Sequence, residues 1–287
     1  MTELSWKDWT GKESIWCAGC GDYGVLKAMQ KAAAGLGLDP HETVLVTGIG
    51  CSGNITAYFR SFGFHGIHGR ALPAATGVKL ANPDLTVLVA GGDGDGFGIG
   101  LGHFLHAARR NVDLTYVVMD NQVYGLTKGQ TSPTTPSTMT TKASPLGPMA
   151  DPVSPLELAV TGGATFVAQG FAGDQKGLVA LIEEAVRHPG FALVNIQSPC
   201  VTYNHLNTYG FFRDNIRPVP DDHDVTDQDA ALAVARDREQ VPTGILYRVE
   251  RPVFGGGRGG RVAVDAGGDP SAALGGSQAW ADDFRVR

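Results

Sequence analysis

The sequence predicts an α/β fold, a doubly wound and mainly parallel sheet with helices on both faces. Short apolar runs rich in β-branched residues alternate along the chain with longer segments of helical period. Glycine-rich turns follow directly after several of the apolar runs, as they do at the carboxyl edge of a parallel sheet. With 287 residues and 43% hydrophobic content, the chain can bury a substantial core.

Periodicity and end signals place the individual elements. Strands are predicted at 43–47, 85–90, 114–119, 165–168 and 191–196, with an edge strand at 245–249. Helices are predicted at 22–36, 74–80, 97–108, 155–161, 175–187 and 228–235. The segments 58–70, 125–155 and 199–227 show no apolar period and are predicted to be loops.

The regular alternation divides the chain into three predicted parts. Residues 1–215 form the α/β domain, and 216–250 form a C-terminal extension. Residues 251–287 contain nine glycines in 37 residues and predict a flexible tail.

Composition excludes several classes of protein. A net charge of −6 argues against nucleic-acid binding. The first ten residues lack the apolar core of a signal peptide, and no later stretch approaches the ~18 apolar residues of a membrane span. We therefore expect a cytoplasmic protein without a membrane or nucleic-acid partner.

A carboxylate and an amide follow two neighbouring predicted strands. The motif Gly92-Asp93-Gly94 comes just after one strand, and Asn121, 28 positions beyond Asp93, follows the next. One helix and one strand fit into that interval, so the two tips meet at one edge of the sheet. Hard oxygen ligands beside glycines suit a divalent cation that carries a diphosphate. A simple packing turn is the alternative for the glycine motif alone.

Four cysteines lie at the ends of predicted elements. Cys17 and Cys20 form a C-x-x-C before the first helix, Cys51 follows the first strand, and Cys200 follows the last regular strand. Loops of an α/β sheet gather at one edge, so we expect one shared site. Structural disulfides are not expected in a reducing compartment.

Several kinds of site are compatible with these cysteines. Four thiolates suit an iron-sulfur cluster, or a zinc ion in a non-catalytic binding protein. One close pair joined by two distant single cysteines favours a cluster, because structural zinc usually takes two close pairs. A redox-active C-x-x-C would leave Cys51 and Cys200 without a role, and four unrelated packing thiols are the plainest alternative.

The turn at 48–53 also matches G-x-G-x-x-G after a strand, which is typical of dinucleotide binding. That motif expects an acidic residue about 20 positions further on. None occurs between Glu42 and Asp84, which weakens this alternative. Arg70 could serve a phosphorylated dinucleotide, but Cys51 would then be unexplained.

Taken together, five runs of the sequence resemble the β subunits of 2-oxoacid:ferredoxin oxidoreductases. The runs are 16–21, 48–52, 65–73, 92–94 and 120–134. The resemblance covers roughly residues 15 to 215 and implies a thiamine diphosphate-binding fold with a long cofactor loop and an irregular C-terminal extension. It implies oxidative decarboxylation of a 2-oxoacid with coenzyme A, with electrons passing through a 4Fe-4S cluster to ferredoxin. The run at 65–83 is most similar to members that act on 2-oxoglutarate, and pyruvate and branched 2-oxoacids are the alternatives.

The resemblance also implies where the cofactors bind. The Mg²⁺ ligands would be Asp93, Asn121 and the backbone carbonyl of Val123. The 4Fe-4S ligands would be Cys17, Cys20, Cys51 and Cys200. Thiamine diphosphate would contact Ile49, Gly50, Cys51, Ser52, His68, Gly92, Asp93, Gly94, Asp95, Asn121, Val123, Gly125, Leu126 and Thr127.

Part of the active site is expected on another chain. In related enzymes a glutamate from a second domain contacts the aminopyrimidine, and residues 1–215 account for one sheet only. We therefore assign no catalytic residue to this chain and expect activity only with an α subunit, as αβ or α2β2. Asn54 stands where some members carry a lysine that faces the substrate carboxylate, so here an amide would make that contact without a charge.

Overall fold

An eight-stranded sheet with helices on both faces confirms the predicted fold class. The computed structural model describes residues 4–237 and 239–256. Residues 1–3, 238 and 257–287 are outside that description, so most of the predicted tail at 251–287 lies beyond it. In the described part, no helix is both long and apolar enough to cross a membrane.

The element bounds are as follows. The strands are β1 Thr43–Thr47, β2 Phe62–His65, β3 Thr86–Gly92, β4 Leu114–Asp120, β5 Val123–Tyr124, β6 Gln130–Thr131, β7 Phe166–Phe171, β8 Phe191–Gln197, β9 Ile216–Pro218 and β10 Val241–Arg248. The helices are α1 Asp22–Gly35, α2 Ile55–Tyr58, α3 Ala71–Ala81, α4 Leu101–Arg110, α5 Pro155–Thr161, α6 Gln175–Arg187, α7 Tyr209–Asn215 and α8 Gln228–Arg236.

The order of the strands reverses at β1, which creates a switch point at the carboxyl edge of the sheet. The main sheet runs β2-β1-β3-β4-β8-β7-β10-β9. Neighbours from β2 to β7 are parallel, β10 is antiparallel to β7, and β9 is parallel to β10. The chain leaves β1 in one direction to form β2 and returns to the other side of β1 to form β3. Ligands of open α/β sheets bind in the crevice at such a reversal.

Two apolar layers cover the sheet, one on each face. In β1, Leu45 faces the layer formed with α1 and α6. Val44 and Val46 face the opposite layer, formed with α3, α4, α5 and α8. The central strands β1, β4 and β8 are buried along their whole length, which explains why they occur in the sequence as short continuous apolar runs.

Local capping explains why several helix bounds match the predicted ones. The Ser154 side chain accepts a hydrogen bond from the backbone of α5, whose first residue is Pro155. Asp174 caps α6 in the same way. Asn111 ends α4 in the left-handed conformation, with φ 55°. Such residues fix helix ends by satisfying backbone groups that have no partner within the helix.

Three of the predicted loops contain regular structure. The segment 58–70 contains β2, the segment 125–155 contains β6, and 199–227 contains α7 and β9. All four residues of β2 are exposed, so no apolar pattern marks that strand. The strand predicted at 245–249 begins earlier, at Val241, and lies between β7 and β9 rather than at the edge. β9 and β10 therefore extend the main sheet, and the division of the chain at residue 215 stays a prediction.

A buried ion pair joins α3 to the base of the sheet. Lys79 Nζ lies 2.8 Å from the Asp113 carboxylate, with the two side chains 3% and 11% exposed. Lys79 also donates to the carbonyl of Leu85 at 2.8 Å, and Asp113 accepts from the backbone N–H of Gly190 at 3.2 Å. The pair thus links a helix to the entries of β3, β4 and β8.

Lys79→Met should lower the free energy of unfolding by about 3–5 kcal/mol, because it leaves the Asp113 carboxylate buried without its ion-pair partner. Adding Asp113→Asn, which removes the charge and keeps an acceptor for Gly190, should restore part of the loss. Urea unfolding of the three proteins measures both effects. Equal midpoints for wild type and Lys79→Met would contradict this account.

Candidate active site

The carboxyl ends of β1, β3 and β4 surround a cavity of about 550 Å³. Typical small-molecule and cofactor pockets fall at about 300–1,000 Å³. All the residues predicted to contact thiamine diphosphate line this cavity, and Tyr124, Gln130 and Thr131 line it in addition. The structure therefore gathers these residues in one place, while their individual contacts with a cofactor stay predictions.

The two tips with metal-ligand chemistry meet as the sequence spacing predicts. The Asp93 carboxylate accepts a hydrogen bond from the backbone N–H of Asn121 at 3.4 Å. The Asn121 side-chain oxygen accepts from the backbone N–H of Val123 at 3.0 Å. Asp93 is only 1% exposed. A turn is thus formed in which the three predicted Mg²⁺ ligands are neighbours.

Tyr124 explains one glycine of the Gly92-Asp93-Gly94 motif. Its ring packs directly on Gly94, where a Cβ atom would overlap it. The Tyr124 hydroxyl also donates to the Gly94 carbonyl at 3.3 Å. Glycine at position 94 is therefore required by this close approach rather than by a left-handed backbone.

Asp95 joins three segments at the floor of the cavity. One of its carboxylate oxygens accepts from the backbone N–H of Ile49 at 2.9 Å and from that of Gly69 at 2.8 Å. The same oxygen lies 3.1 Å from Nδ1 of His68. A Cβ atom on Gly48 would overlap this carboxylate. Asp95 thus sets the positions of the turn after β1 and of the histidine loop.

A second carboxylate lies behind the predicted metal ligands. The Thr134 hydroxyl lies 2.8 Å from the Asp93 carboxylate and 2.8 Å from the Asp120 carboxylate. A hydroxyl has one proton and can donate to only one of them at a time. Burial raises the pKa of both carboxyl groups. A divalent cation at Asp93 would relieve this concentration of buried negative charge, so the donor set fits Mg²⁺.

The lining of the cavity adds a second reason for a cation. None of its lining residues in the described part of the chain is lysine or arginine. A diphosphate here would have to be bound through a metal ion and through backbone N–H groups. Among the described residues that line the cavity, His68 is the one of basic type, and its ring lies 6.0 Å from that of Tyr124.

A second, smaller cavity of about 190 Å³ lies beside the first and is lined by Cys17, Cys20, Cys51 and Cys200. The two cavities share part of their lining, namely Cys51, Asn121, Gly125 and Leu126. Asn54 lines the cysteine cavity rather than the cofactor cavity. The structure thus brings the four predicted cysteines together. It places Asn54, the predicted substrate contact, at the cysteine cavity.

Trp16 holds the cysteine loops against each other. Its indole N–H donates to the Cys51 carbonyl at 2.6 Å, and its ring packs edge-on against Tyr23 and Tyr58. On the opposite side, the backbone N–H of Gly21 donates to the Pro199 carbonyl at 3.0 Å. The C-x-x-C loop is therefore fixed both to the turn after β1 and to the chain after β8.

Zinc and an iron-sulfur cluster place different demands on these thiols. Among the described residues, no three cysteine, histidine or acidic side chains converge on a single metal ion. A mononuclear zinc site needs all its sulfur ligands at about 2.3 Å from one atom, whereas a cluster spreads its thiolates over several irons. Burial, followed by the nearby Asp22 carboxylate, raises the pKa of Cys51 to about 11. A cationic group would be needed to hold this thiol as a thiolate.

Sequence reasoning missed three residues of the site. Asp120 and Thr134 form the polar contacts behind Asp93, and Tyr124 packs on Gly94. Asp120 and Tyr124 flank residues 121–123, which carry two of the predicted Mg²⁺ ligands and are called the metal loop below. Their position next to this loop was the signal by which the sequence could have indicated them. Thr134 lies in a long segment without any period, and only the folded structure brings it to Asp93.

Comparisons with known proteins agree with this geometry. The family described as the C-terminal TPP-binding domain of thiamine pyrophosphate enzymes matches residues 48–196. The C-terminal family of the pyruvate ferredoxin oxidoreductase β subunit matches residues 200–257.

Individual relatives are similar over most of the chain. A 2-oxoacid:ferredoxin oxidoreductase β subunit of Aeropyrum pernix is 44% identical, over 85% of this chain and 83% of its own length. A 2-oxoglutarate synthase subunit KorB of Archaeoglobus fulgidus is 46% identical, over 67% of this chain and 72% of its own. The 2-oxoglutarate:ferredoxin oxidoreductase of Magnetococcus marinus, solved with 2-oxoglutarate, coenzyme A and succinyl-CoA bound, is 44% identical with a TM-score of 0.88, covering 96% of this chain and 97% of that chain.

Fold and site together define a thiamine diphosphate-binding enzyme domain. Its mostly parallel sheet, its cofactor cavity at the switch point and the family match all belong to that class. The chain belongs to the family of 2-oxoacid:ferredoxin oxidoreductase β subunits, which confirms the resemblance found in the sequence.

Asp95→Ala should raise the Kd for thiamine diphosphate by at least about tenfold, which corresponds to 1.4 kcal/mol. The change removes the acceptor that holds Ile49, Gly69 and His68. Isothermal titration with Mg²⁺ in excess measures the affinity, and circular dichroism checks the fold. Asp221→Ala, on an exposed turn, is the control and should bind like wild type. An unchanged Kd for Asp95→Ala would show that the cavity does not depend on this carboxylate.

Proposed function

We propose that this chain provides the cofactor-binding half of a 2-oxoglutarate:ferredoxin oxidoreductase. In this proposal Mg²⁺ is bound by Asp93, Asn121 and the Val123 carbonyl beside thiamine diphosphate. The 4Fe-4S ligands are Cys17, Cys20, Cys51 and Cys200. The further reactants are 2-oxoglutarate, coenzyme A and a ferredoxin.

The observation that supports this proposal most directly is the shared wall between the two cavities. Cys51 and Gly125 line both of them. A Cβ atom placed on Gly125 would lie 3.4 Å from the Cys51 sulfur. Groups bound in the two cavities would therefore be neighbours across the backbone at Gly125.

The chemistry of the reaction belongs to the cofactors. When bound, thiamine diphosphate supplies the nucleophilic carbon for decarboxylation of a 2-oxoacid, and a cluster supplies acceptance of single electrons. The side chains of this chain shape and enclose the cavity in which the cofactor would bind. Asp95 holds His68 at the cavity, Tyr124 packs on Gly94, and Leu126 lines both cavities.

The features of the rim support completion of the site by an α subunit. None of the cavity-lining residues in the described part of the chain is glutamate. Apolar side chains are exposed at or near the opening, namely Ile49 at 37%, Leu126 at 54% and Ile67 at 70%. Exposed apolar groups around a cavity are typical of a surface that another protein covers.

The preference for 2-oxoglutarate rests on the relatives. The Archaeoglobus fulgidus relative is named for 2-oxoglutarate, and the Magnetococcus marinus enzyme was solved with 2-oxoglutarate, coenzyme A and succinyl-CoA. The Aeropyrum pernix relative is named for 2-oxoacids in general. Pyruvate and branched 2-oxoacids are therefore the substrates to test against 2-oxoglutarate.

Anaerobically purified chain should be brown and contain about four iron and four sulfide per chain, as a 4Fe-4S cluster requires. The double variant Cys17→Ala/Cys20→Ala should lose most of this iron and sulfide, because it removes two thiolates that lie outside the cofactor cavity. Metal and sulfide analysis and the paramagnetic resonance signal of the reduced protein measure the effect.

Ala18→Ser changes the same loop without removing a thiol and should keep the cluster. A colourless wild-type protein with one zinc would identify the alternative, a zinc-stabilised binding protein. A colourless protein free of metal would indicate that the four cysteines only pack.

The chain by itself should show no oxidation of 2-oxoacids, because the glutamate that contacts the aminopyrimidine is expected on the α subunit. Adding the α subunit, coenzyme A and an electron acceptor should restore activity, with the highest kcat/KM for 2-oxoglutarate among the three substrate classes. Substantial turnover by the isolated chain would contradict the division of the site between two subunits. A higher kcat/KM for pyruvate would correct the substrate and leave the reaction type unchanged.

A further inference from the structure

The chain after β8 connects the two cavities directly. Cys200 starts a compact segment, Cys200–Asn207, in which the backbone N–H of Asn204 donates to the Cys200 carbonyl at 3.0 Å. Asn204 and Asn207 are 2% and 5% exposed. Two amide side chains are therefore buried within seven residues of a predicted cluster ligand, and each needs hydrogen-bond partners.

Both amides bind the predicted metal loop. Asn204 donates from Nδ2 to the Asn121 carbonyl at 3.0 Å, and Asn207 donates from Nδ2 to the Gln122 side-chain oxygen. The Asn204 side-chain oxygen accepts from the backbone N–H groups of Leu206 and Asn207, at 3.1 and 2.9 Å. Asn204 thus has one end in its own turn and the other end on the loop that carries Asn121.

The metal loop needs such support because of its backbone conformation. Gln122, between the predicted Mg²⁺ ligands Asn121 and Val123, has φ 61°. A left-handed conformation is unfavourable for a residue other than glycine, and surrounding contacts must stabilise it. Those contacts come from Asn204 and Asn207 on one side and from the Thr135 hydroxyl, which donates to the Gln122 carbonyl at 2.6 Å, on the other.

The same segment also contacts the far end of the loop. The Tyr203 ring packs against Gly129, where a Cβ atom would lie 2.9 Å from the ring. Gly125, midway between these contacts, lies over the sulfur atoms, since its Cβ atom would be 3.4 Å from Cys51 Sγ and 3.9 Å from Cys200 Sγ. The loop of the cofactor cavity therefore lies on the cysteines and on the segment that begins at Cys200.

We propose that the Cys200–Asn207 segment couples the two sites, so that a bound cluster increases the affinity of the chain for Mg²⁺ and thiamine diphosphate. A cluster would fix Cys200 to the loops of Cys17, Cys20 and Cys51. Asn204 and Asn207 would then hold Asn121 and Gln122 in the conformation that binds the metal. This inference rests on the proposed function, because it needs the cluster. By thermodynamic linkage, thiamine diphosphate must stabilise the cluster-bound form by the same factor.

The test compares four forms of the complete chain in complex with its α subunit. They are wild type and Asn204→Asp, each with the cluster removed by a chelator and with the cluster rebuilt anaerobically. Asn204→Asp keeps an oxygen that accepts from Leu206 and Asn207, and it replaces the donor to the Asn121 carbonyl with a carboxylate oxygen, which is charged and cannot donate. The Kd for thiamine diphosphate is measured by calorimetry with Mg²⁺ in excess, and the cluster is measured by iron, sulfide and paramagnetic resonance.

In wild type, the cluster should lower the Kd at least about tenfold, within the range of about 5- to 150-fold that is typical of coupled sites. In Asn204→Asp, the rebuilt cluster should give its normal signal while its effect on the Kd is lost. Asn82→Asp makes the same change at an exposed asparagine that also accepts a backbone N–H, and should behave like wild type. Hydrogen exchange of residues 121–131 in wild type should slow when the cluster is rebuilt.

Two negative results have different meanings. A wild-type protein with a full cluster and an unchanged Kd would overturn the coupling and leave the proposed function intact. A wild-type protein that takes up no iron and sulfide would overturn both. The comparison of the two wild-type forms decides this even if Asn204→Asp fails to fold.

Discussion

The carboxylate of Asp95 is the interaction on which the arrangement of the cofactor cavity depends. Its hydrogen bonds to Ile49 and Gly69, and its contact with His68, join segments that follow β1, β2 and β3. These segments meet at the reversal of strand order, just beyond the paired ends of β1, β2 and β3. A charged acceptor that binds several backbone donors is among the stronger polar interactions in proteins. One side chain from the floor of the cavity therefore sets its shape.

That shape has an electrostatic cost. Asp93, Asp95 and Asp120 are all nearly completely buried at this edge, and no lysine or arginine lines the cavity in the described residues. Buried charges without countercharges are unfavourable, and the raised pKa of Asp93 and Asp120 expresses that cost. The bound cation of our proposal would compensate it. Since a ligand that binds only the folded state stabilises that state, stability and cofactor loading should be linked in this chain.

Burial decided which features could be predicted from the sequence. β1, β4 and β8 are buried throughout and are bounded by turn residues, so their apolar runs were sufficient to predict them as strands. The pairing of Asp93 with Asn121 followed from chain topology alone. In contrast, β2 is exposed along its length and is held by backbone pairing with β1, which leaves no side-chain pattern. Thr134 could not be predicted because its position depends on how a long loop folds back on Asp93.

The segment 121–135 contacts both cavities. From Asn121 it forms the short pair of β5 and β6, passes Gly125 over the cysteine sulfur atoms, and returns so that Thr135 donates to the carbonyl of Gln122. The loop is thus closed on itself around the cofactor cavity and has one face on each site. A shorter connection could carry the predicted metal ligands but could not also form the wall beside the cysteines. The segment 121–135 therefore serves two adjacent sites with one stretch of backbone.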